Sequence, residues 1–489
     1  MEKLVACVIG SGIGGLASAL RLAARGYSVT VLEKSGEPGG KVAQYNEAGY
    51  RFDMGPSLFT LPYLVDELFG LFGRRRADYL KVITLPMTGN YFFSDGLNLK
   101  AWSNKEQFLN EVEKTGVNRG KMERYLAKQS FLYEHAADVF LFKSIHKLST
   151  YTSAAGRKGM KALHRMDAFT SMHQRNVKSF GDSRLVQLFD RYATYNGSDP
   201  YRAPATLNMI AHLEHNTGAY FPEDGLFGII TAIKRLADEV GVRFYFNTEV
   251  TGLVTKGCRV TGVKTRDSVY PADLVVNNTD ITLFYRDIMP NARMYRKLMK
   301  RERSSSALIF YWGVRTTSAL DVHNILFSAD YKAEFEGLFK TKELADDLTV
   351  YIFISKKAVA ADAPDGCENW FVMVNAPENV GQDWEEEVLK ARRIVLQKIK
   401  SALDFSIEPL IESERVITPQ DIECRTGSVN GALYGHSSNS RLSAFKRHPN
   451  FSRQYKNLFF TGGSVHPGGG IPLCLASARI VDGLIGAGK

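Results

Sequence analysis

The chain has 489 residues, of which 44% are hydrophobic and 23% are charged. This is the composition of an ordinary globular protein, which excludes a disordered or fibrous chain, and the length predicts about three folded units. The 62 lysines and arginines outnumber the 52 acidic residues, and the net charge of +10 favours an anionic partner, either a nucleic acid or a membrane surface. The five cysteines lie far apart without a CxxC pair, so they predict a reducing compartment and neither a disulfide framework nor a cysteine-rich zinc site.

The N-terminus contains the first motif that points to a ligand. Leu4–Ile9 is a short apolar run typical of a buried strand, a glycine-rich segment follows at 10–15, and Leu16–Ala24 is predicted to be a helix. A second strand, Ser28–Leu32, ends at Glu33. This order of strand, glycines, helix, strand and acidic residue is the dinucleotide-binding fingerprint. We therefore interpret the apolar N-terminus as a strand and not as a signal peptide.

Each part of the fingerprint has a physical role in binding a dinucleotide. Gly10 permits a tight turn, Gly12 lets the backbone approach a pyrophosphate, and Gly15 lets the helix pack closely on the strands. The helix N-terminus offers free N–H groups to the phosphates. Glu33 is placed to accept hydrogen bonds from ribose hydroxyls. The alternative is a glycine turn that binds no ligand.

The residues beyond Glu33 favour a flavin over a nicotinamide cofactor. Pro38-Gly39-Gly40-Lys41 comes first, and a second segment follows at Gly49–Pro56. A double glycine followed by a cation suits a loop that folds back over the pyrophosphate and the flavin, whereas the alternative for Lys41 is a solvated surface lysine. Because the sequence has one fingerprint only, the electron acceptor is expected to be oxygen, a quinone or another membrane-borne carrier.

Residues 120–215 are predicted to be mainly helical and are rich in aromatic side chains. Within them, residues 141–180 hold eight basic side chains and one acidic side chain, so their net charge is +7. We expect this basic segment to dock on an anionic membrane, and a solvated basic face without a partner is the alternative. The sequence has no uninterrupted apolar run of about 18 residues, so no transmembrane helix is predicted. His212 and His215 do not have the spacing of a metal site, so we interpret them as ordinary polar positions and predict no metal.

The C-terminus carries a second glycine-rich segment. Before it, Gly225–Val240 is a predicted amphipathic helix, and short strands alternate up to a long helix near 384–404. A strand at Leu458–Thr461 then precedes Gly462–Pro472, and a last helix follows. Backbone N–H groups in such a segment form a second place for an anionic ligand. A binding fold that begins near the N-terminus and closes near the C-terminus is expected to be one large domain interleaved in sequence.

Several motifs together resemble one family. VIGSGIGGL, VTVLEK, PGGK and FDMGPS near the start, FPEDG and VVNNTD in the middle and LFFTGGSVHPGGGIP at the end are similar to the bacterial phytoene-desaturase-type carotenoid desaturases. The match spans nearly the whole chain, and HPGGGIP is its most diagnostic part. The resemblance implies an α/β fold of the amine-oxidase and phytoene-desaturase type, with a Rossmann-like FAD-binding domain interleaved with a mixed-sheet substrate domain and a helical membrane-associating part. The implied segments are 1–75, 216–290 and 441–489 for FAD binding, 76–119 and 291–440 for the substrate domain, and 120–215 for the helical part.

The resemblance also implies which residues bind FAD. The glycine-rich loop would hold the phosphates, Glu33 would bind the ribose, the segment at 55–58 would pass the flavin ring, and the backbone of Val250 would meet the adenine. The implied set is Gly10, Gly12, Ile13, Gly14, Gly15, Glu33, Lys34, Gly40, Lys41, Gly55, Pro56, Ser57, Leu58, Val250, Thr279, Gly463, Ser464, Gly470 and Ile471.

The activity implied by the resemblance is FAD-dependent desaturation of an acyclic end of a carotenoid, and the chain as a whole resembles the branch that performs 3,4-desaturation of 1-hydroxycarotenoids. Two departures from the family pattern, Pro222-Glu223-Asp224-Gly225 and Leu473-Cys474-Leu475, are consistent with a substrate other than phytoene. The alternatives are a phytoene desaturase, another flavin oxidase acting on amines or protoporphyrinogen, and a non-catalytic lipid escort. The implied location is the cytoplasm, with peripheral attachment to the inner face of the cell membrane, and no nucleic acid is expected.

Desaturation removes a hydride and a proton from adjacent carbons, and FAD accepts the hydride, so the difficult chemistry belongs to the cofactor. The protein is then expected to provide an apolar tunnel with few polar groups. No general base is identified, because Asp167 and Arg191 are both interpreted as structural or surface residues. Cys474 is interpreted as a buried thiol and not as the attachment site of a covalent flavin.

Overall fold

The strands are those of a computed structural model that describes residues 3–162, 166–167 and 169–486. They form a five-stranded, a seven-stranded and a three-stranded sheet and two two-stranded ribbons within that part of the chain. Their bounds are β1 (Val5–Ile9), β2 (Ser28–Leu32), β3 (Ala43–Glu47), β4 (Tyr50–Met54), β5 (Val82–Thr84), β6 (Met87–Phe92), β7 (Asn98–Trp102), β8 (Tyr220–Pro222), β9 (Arg243–Tyr245), β10 (Val250–Lys256), β11 (Arg259–Thr265), β12 (Val269–Pro271), β13 (Leu274–Asn277), β14 (Ser306–Val314), β15 (His323–Leu326), β16 (Val350–Ile354), β17 (Glu368–Ala376), β18 (Ile411–Ile417) and β19 (Leu458–Phe460).

The α-helices surround these sheets. They are α1 (Ile13–Ala24), α2 (Tyr63–Gly70), α3 (Lys105–Glu113), α4 (Arg119–Phe140), α5 (Leu148–Thr152), α6 (Ala154–Ala162), α7 (Met172–Phe180), α8 (Ser183–Asp190), α9 (Ile210–His215), α10 (Phe227–Glu239), α11 (Ile281–Leu283), α12 (Ala292–Met299), α13 (Tyr331–Glu336), α14 (Trp384–Leu403), α15 (Pro419–Thr426), α16 (Ser443–Lys446) and α17 (Ile471–Gly486). Short 3-10 helices lie at Arg76–Asp78, Arg191–Asn196, Ala205–Met209, Ser355–Lys357, Ala360–Asp362, Glu408–Leu410 and Val429–Gly431, and π-helical turns at Phe284–Ile288 and Gly337–Thr341.

The five-stranded sheet is parallel throughout, in the order β19-β13-β1-β2-β9. Its strands are apolar on both faces because both faces are covered. In β1, Ala6 and Val8 belong to the core that includes α1, α10 and α17, whereas Cys7 and Ile9 pack with the three-stranded sheet β10-β11-β12. The carboxyl ends of parallel strands lie at one edge of a sheet, where such folds bind their ligands.

The seven-stranded sheet is mixed, in the order β18-β14-β17-β16-β15-β6-β7, with β15 parallel to β6. Strand β14, which lies between β18 and β17, is buried along its whole length. Because side chains alternate along a strand, Leu308 and Phe310 pack beneath α14, whereas Ile309 and Tyr311 face the core shared with the five-stranded sheet. The space between the two sheets is therefore bounded by apolar side chains.

The segment predicted to be helical forms α4 to α9 around a separate aromatic core that includes Tyr125, Phe180 and Phe189. Helix α4 ends at Phe140, and the apolar Ile145 beyond it is buried from a turn. Residues 163–165 and 168 of the predicted basic segment lie outside the described residues. Among the helices described, none is both long enough and apolar enough to cross a bilayer.

The strands predicted around the glycine-rich segments, and the helices that follow them, are confirmed within a few residues.

The distribution of strands between the two large sheets also supports a division of the chain into domains. The five-stranded sheet takes its strands from within 1–75, 216–290 and 441–489, and the seven-stranded sheet takes its strands from within 76–119 and 291–440. We propose the six-segment division on this basis.

Candidate functional site

A cavity of about 680 Å³ begins at the carboxyl edge of the five-stranded sheet. It is lined by the loop after β1, the start of α17, the inner face of β14 and the 3-10 helix Arg191–Asn196. The cavity therefore joins the predicted cofactor site to a tunnel between the two large sheets and the helical part.

The loop after β1 is built so tightly that it needs glycine. Gly10 has a φ of +91°, and its N–H donates to the carbonyl of Leu32 at 2.8 Å. A Cβ on Gly15 would lie 2.1 Å from the carbonyl oxygen of Gly10, so α1 packs directly against the loop. A Cβ on Gly14 would lie 2.7 Å from Oδ1 of Asn278, whose side chain fills the space beneath the loop. The backbone N–H groups at the start of α1 are thereby held at the cavity wall.

Glu33 follows β2 at the same edge and is buried, with 8% of its surface exposed. Its Oε2 accepts hydrogen bonds from the backbone N and the Oγ of Ser11, at 2.7 and 2.8 Å, and its Oε1 accepts one from the N of Ser35 at 2.9 Å. A carboxylate has about four lone-pair positions, so acceptor capacity remains on the side that lines the cavity.

The double glycine is held against the glycine-rich loop. Gly39 forms a parallel bridge with Gly12, and its N–H donates to the carbonyl of Ser11 at 3.0 Å. The next side chain, Lys41, is half-buried, and its Nζ donates to the carbonyl of Leu433 at 2.6 Å. Burial lowers the pKa of this lysine, against the attraction of Asp280. Lys41 is therefore a lining residue and not a solvated surface lysine.

The C-terminal glycine-rich segment, which follows β19 of the same sheet, also lines the cavity. The Oγ of Ser464 accepts a hydrogen bond from the N of Ile281 at 2.9 Å, which ties the segment to the end of β13. Gly470 has a φ of +101°, and a Cβ there would meet no atom within 4 Å, so this backbone faces open space before α17 begins. Cys474 also lines the cavity, and burial raises its pKa to about 11, so its thiol is protonated at neutral pH.

The far part of the cavity contains a buried ion pair. Arg191 and Glu214 are 7% and 1% exposed, and both line the cavity. Nη2 of Arg191 lies 3.6 Å from Oε2 of Glu214 and donates to the hydroxyl of Tyr91 at 2.8 Å. The hydroxyls of Tyr192 and Tyr195 donate to the two oxygens of Glu214. Around this pair the lining is apolar, from Leu207, Met209, Ile210, Leu213 and Ile325.

A hydrogen-bonded row of side chains connects the two parts of the cavity. The Oγ of Ser57 lies 2.7 Å from the hydroxyl of Tyr351, which lies 2.7 Å from Nδ1 of His323. Burial, reinforced by the positive charge of Arg191, lowers the pKa of His323 to about 3, so its ring is neutral at physiological pH. All three side chains of the row line the cavity.

The sequence profile of the flavin-containing amine oxidoreductases matches residues 13–304. The chain belongs to this family. The match covers more than half of the chain, and it makes the protein an FAD-dependent oxidoreductase with FAD as its cofactor.

Comparison with individual relatives places the chain in a narrower group of enzymes within this flavoenzyme family. The chain is 46% identical to the 1-hydroxycarotenoid 3,4-desaturase of Flavobacterium sp. (strain P99-3), over 99% of both chains. It is 30% identical to the 4,4'-diaponeurosporene oxygenase of Staphylococcus haemolyticus (strain JCSC1435), over 100% of this chain and 98% of the relative. The flavoprotein therefore falls among the carotenoid desaturases and their oxygenase relatives.

A solved structure has the same fold as the flavoprotein. A triple mutant of putrescine oxidase, redesigned at its cofactor site, superposes with a TM-score of 0.66 over 100% of this chain and 99% of that chain. Its sequence is only 13% identical, so this likeness concerns the fold alone. The predicted α/β fold of the amine-oxidase type is confirmed.

The residues of this flavoprotein fit FAD on geometric grounds. The N-termini of α1 and α17 both meet the cavity. Each helix is preceded by a glycine that lines the cavity, Gly12 or Gly470, so no side chain covers the backbone there. Such helix N-termini bind phosphate oxygens. Glu33 retains acceptor capacity for ribose hydroxyls, and Lys41 supplies a positive charge.

The structure brings the predicted cofactor residues together. All of them except Gly15 line the cavity, including Lys34, Gly55–Leu58, Val250 and Thr279. Gly15 lies behind the loop, where the absence of a Cβ permits the close packing predicted for it. His212 and His215 are buried, and His215 lies 2.8 Å from the hydroxyl of Tyr192.

The sequence analysis does not single out Asn278 or Glu214, which line the cavity, and it interprets Arg191 as a structural or surface residue. Asn278 supports the glycine loop, and its only signal was the motif VVNNTD. Arg191 is not a surface residue, because it lines the tunnel with Glu214. Asp167 pairs with Lys128 and Arg175 in the helical part and is not among the lining residues described.

Proposed function

We propose that this flavoprotein is a carotenoid desaturase that introduces the 3,4 double bond into an acyclic, 1-hydroxylated end of a carotenoid. The observation that carries the proposal is the 46% identity, over 99% of both chains, to a 1-hydroxycarotenoid 3,4-desaturase. The apolar tunnel that continues from the cofactor end of the cavity supports it, because a polyene needs such a lining.

The desaturation step divides its work between cofactor and protein. Bound FAD supplies the acceptor for the hydride that leaves one of two adjacent carbons. The protein has to bind the chain in one register, exclude water and orient the carbon–carbon bond. Residues of β14 and β15 that line the tunnel, among them Ile309 and Ile325, provide apolar contacts for the polyene.

We propose that the predicted cofactor residues hold FAD in a defined order. Gly10, Gly12, Ile13 and Gly14 at the start of α1 bind the phosphates, and Glu33 binds the ribose of the adenosine. The backbone of Val250, with Lys34 and Thr279 nearby in the lining, contacts the adenosine part, while Gly55–Leu58, Gly463, Ser464, Gly470 and Ile471 contact the flavin. The support for this assignment is that all of these residues line one cavity, together with Gly40 and Lys41.

Product analysis tests the proposed reaction. The gene is expressed in hosts that make an acyclic carotenoid with or without a terminal hydroxyl. The expected product of the hydroxylated substrate has lost two hydrogens and absorbs at longer wavelength. A Gly14→Val variant, in which the side chain collides with Asn278, is the control without flavin. An oxygenated product would support an oxygenase instead. Conversion of phytoene would support a phytoene desaturase, and binding of the carotenoid without turnover would support a lipid escort.

We propose that the reduced flavin passes its electrons to oxygen or to a membrane-borne quinone. The support is the single dinucleotide fingerprint in the sequence, which the flavin occupies. Anaerobic reoxidation by a soluble quinone, compared with reoxidation by air and by NADP⁺, tests this proposal. Fast reoxidation by NADP⁺ alone would contradict it.

We further propose that the enzyme docks peripherally on the inner face of the cell membrane through its helical part. Exposed apolar side chains lie on the helical part and on α16 next to it: Leu148 and Phe169 are 81% and 80% exposed, and Phe445 of α16 is 46% exposed. Contacts connect them, since Arg441 lies over the ring of Phe169 at 5.9 Å and His146 lies 3.3 Å from the carbonyl of Phe445. We call Leu148, Phe169, Leu442 and Phe445 the apolar patch.

Basic side chains border the apolar patch. Lys147, Arg157 and Lys158 are exposed, and each basic residue near an anionic surface contributes about 1 kcal/mol of attraction. Tyr133 and Leu141, which belong to the same helical part, line the cavity. This lining by the helical part supports entry of the carotenoid from the lipid on that side. The five free cysteines support a location on the reducing side of the membrane.

Flotation with anionic vesicles tests the docking proposal. A variant with Lys143, Lys147, Arg157 and Lys158 changed to glutamine should bind less at low salt, and Leu148→Ser with Phe445→Ser should bind less at any salt. The matched control changes Lys256, Arg259, Lys264 and Arg266 of β10, β11 and the turn after β11, which are also exposed. Equal binding by the first variant and the control would count against the proposed face.

A further inference from the structure

We propose that Arg191, Glu214 and Tyr195 form a hydroxyl-binding subsite that recognises the oxygenated end of the carotenoid. This inference rests on the proposed function and adds the residues that select the substrate. Arg191 and Tyr195 lie on the 3-10 helix Arg191–Asn196 and Glu214 lies on α9, and all three line the tunnel.

Two opposite charges in a tunnel for a hydrocarbon require an explanation. Buried charges are unfavourable unless they are paired and hydrogen-bonded. The apolar residues around the pair would bind a polyene equally well without it, and replacing buried ion pairs by apolar side chains is often neutral for stability. We therefore assign the pair a role in recognising the substrate.

The hydrogen bonding of the pair is incomplete on the donor side. Nη1 of Arg191 donates to the hydroxyl of Tyr195 at 3.2 Å, and Nη2 donates to that of Tyr91 at 2.8 Å. The separation of 3.6 Å from Glu214 exceeds that of a normal hydrogen bond. Within the described residues, Nε of Arg191 has no hydrogen-bond partner, although the guanidinium has five N–H donors. Arg191 can therefore donate to a ligand.

The acceptor side also has capacity for a ligand. Glu214 accepts one hydrogen bond at each oxygen, from Tyr192 at Oε2 and from Tyr195 at Oε1. About four lone-pair positions are available on a carboxylate, so each oxygen can accept another bond. A ligand that both accepts from Arg191 and donates to Glu214 would complete the network.

The charges select the chemical class of that ligand. An anion would be repelled by Glu214, and an amine cation would be repelled by Arg191, whereas a neutral hydroxyl both accepts and donates. An alcohol at the end of an apolar chain therefore matches this part of the tunnel. In a 1-hydroxylated end the oxygen is only two carbons from C3, so a bound hydroxyl fixes the position of the 3,4 bond.

The subsite is connected to the cofactor side of the cavity. The charge of Arg191 lowers the pKa of His323, which places the two side chains in one electrostatic environment. His323 is joined through Tyr351 to Ser57, and Ser57 lies in the segment proposed to contact the flavin. The row of His323, Tyr351 and Ser57 thus leads from the surroundings of Arg191 to the proposed flavin contacts.

The test compares two substrates that differ only in the hydroxyl. Binding and turnover of a 1-hydroxylated acyclic carotenoid and of its counterpart without oxygen are measured on the holoenzyme. Buried polar groups left unpaired reject the second ligand, so we expect wild type to prefer the first by about 100-fold or more. Tyr195→Phe should reduce that preference, and the double variant Arg191→Met with Glu214→Gln should abolish it, mainly through KM.

The controls separate this inference from the proposed function. FAD content should be unchanged in all subsite variants, and the surface pair Arg235–Glu239 of α10, changed in the same way, should keep the wild-type preference. If the wild type does not desaturate either carotenoid, the proposed function fails, and the ratio of the two dissociation constants still decides the inference. Equal binding of both carotenoids by wild type, or an unchanged preference in the double variant, would overturn it.

Discussion

The carboxylate of Glu33, at the end of β2, accepts two hydrogen bonds from Ser11, from the backbone N at 2.7 Å and from Oγ at 2.8 Å. The residue proposed to bind the ribose of FAD thus also holds the loop proposed to bind its phosphates. Because one oxygen serves the loop, the other is left for the cofactor, apart from one bond from Ser35. The two functions of the carboxylate are coupled through one side chain.

We predict that Glu33→Ala weakens FAD binding by about 1–3 kcal/mol, because a buried charge-assisted hydrogen bond is lost and the loop loses its partner. The measurement is the flavin-to-protein ratio after gel filtration, together with a fluorescence titration of the stripped protein with FAD. Glu37→Ala, at an exposed position of the loop after β2, is the control and should behave as wild type. Normal flavin content in Glu33→Ala would contradict the assignment.

We predict that Lys41→Glu loses more flavin than Lys41→Met. Both variants lose the hydrogen bond from Nζ to the carbonyl of Leu433, but the glutamate also places a negative charge beside carbonyl oxygens, Asp280 and the phosphates. Flavin content and the dissociation constant of FAD are compared with those of Lys81→Glu, an exposed lysine. Equal flavin retention by Lys41→Glu and the control would show that Lys41 does not face the cofactor.

The cofactor end of the site was predictable because its signals are local. Strand β1, the glycines and Glu33 lie within one short stretch, and the glycines are needed either for a positive φ, as at Gly10, or for a contact that a Cβ would block, as at Gly15. Arg191 and Glu214 have no such signal. They lie on different short helices of the helical part, and only tertiary packing brings Nη2 and Oε2 within 3.6 Å in the tunnel.

A stability prediction concerns Asp53, at the junction of β4 and α10. Its Oδ1 accepts hydrogen bonds from the N of Leu226 at 2.9 Å and of Phe227 at 3.3 Å, and it pairs with Arg51 at 3.1 Å. Since Asp53 is almost fully buried, Asp53→Ala leaves the backbone N–H groups at the start of α10 without their acceptor, whereas Arg51 keeps its pair with Asp362, so the substitution should cost about 1–3 kcal/mol.

Urea unfolding of the holoenzyme, followed by circular dichroism, measures this cost. Asp66→Ala, which breaks the more exposed pair with Arg76, should cost less than about 1 kcal/mol. If the two variants were equally stable, Asp53 would not hold α10 against β4.

The last prediction concerns the pH dependence of stability. Burial lowers the pKa of His215, His323, His436 and His466 to about 3 and that of His448 to about 4, from the ordinary 6.5. A histidine with a depressed folded pKa stays neutral in the native state while the unfolded chain binds its proton. The stability it contributes is therefore complete above pH 6.5 and is lost as pH falls toward the folded pKa. Asp199 acts in the opposite sense, because burial raises its pKa to about 6.

A single substitution isolates the histidine contribution from that of the carboxyl groups. His448 is buried next to Tyr285, its Nε2 lies 3.0 Å from that hydroxyl, and the charges of Arg301, His146 and Arg453 further disfavour its protonation. In His448→Gln the free energy of unfolding should fall less steeply between pH 6.5 and pH 4 than in wild type, by up to about 1 kcal/mol per pH unit. Urea unfolding at several pH values in this window measures both slopes. Because the carboxyl groups are the same in both proteins, parallel pH profiles would show that His448 is protonated equally in the folded and unfolded chains.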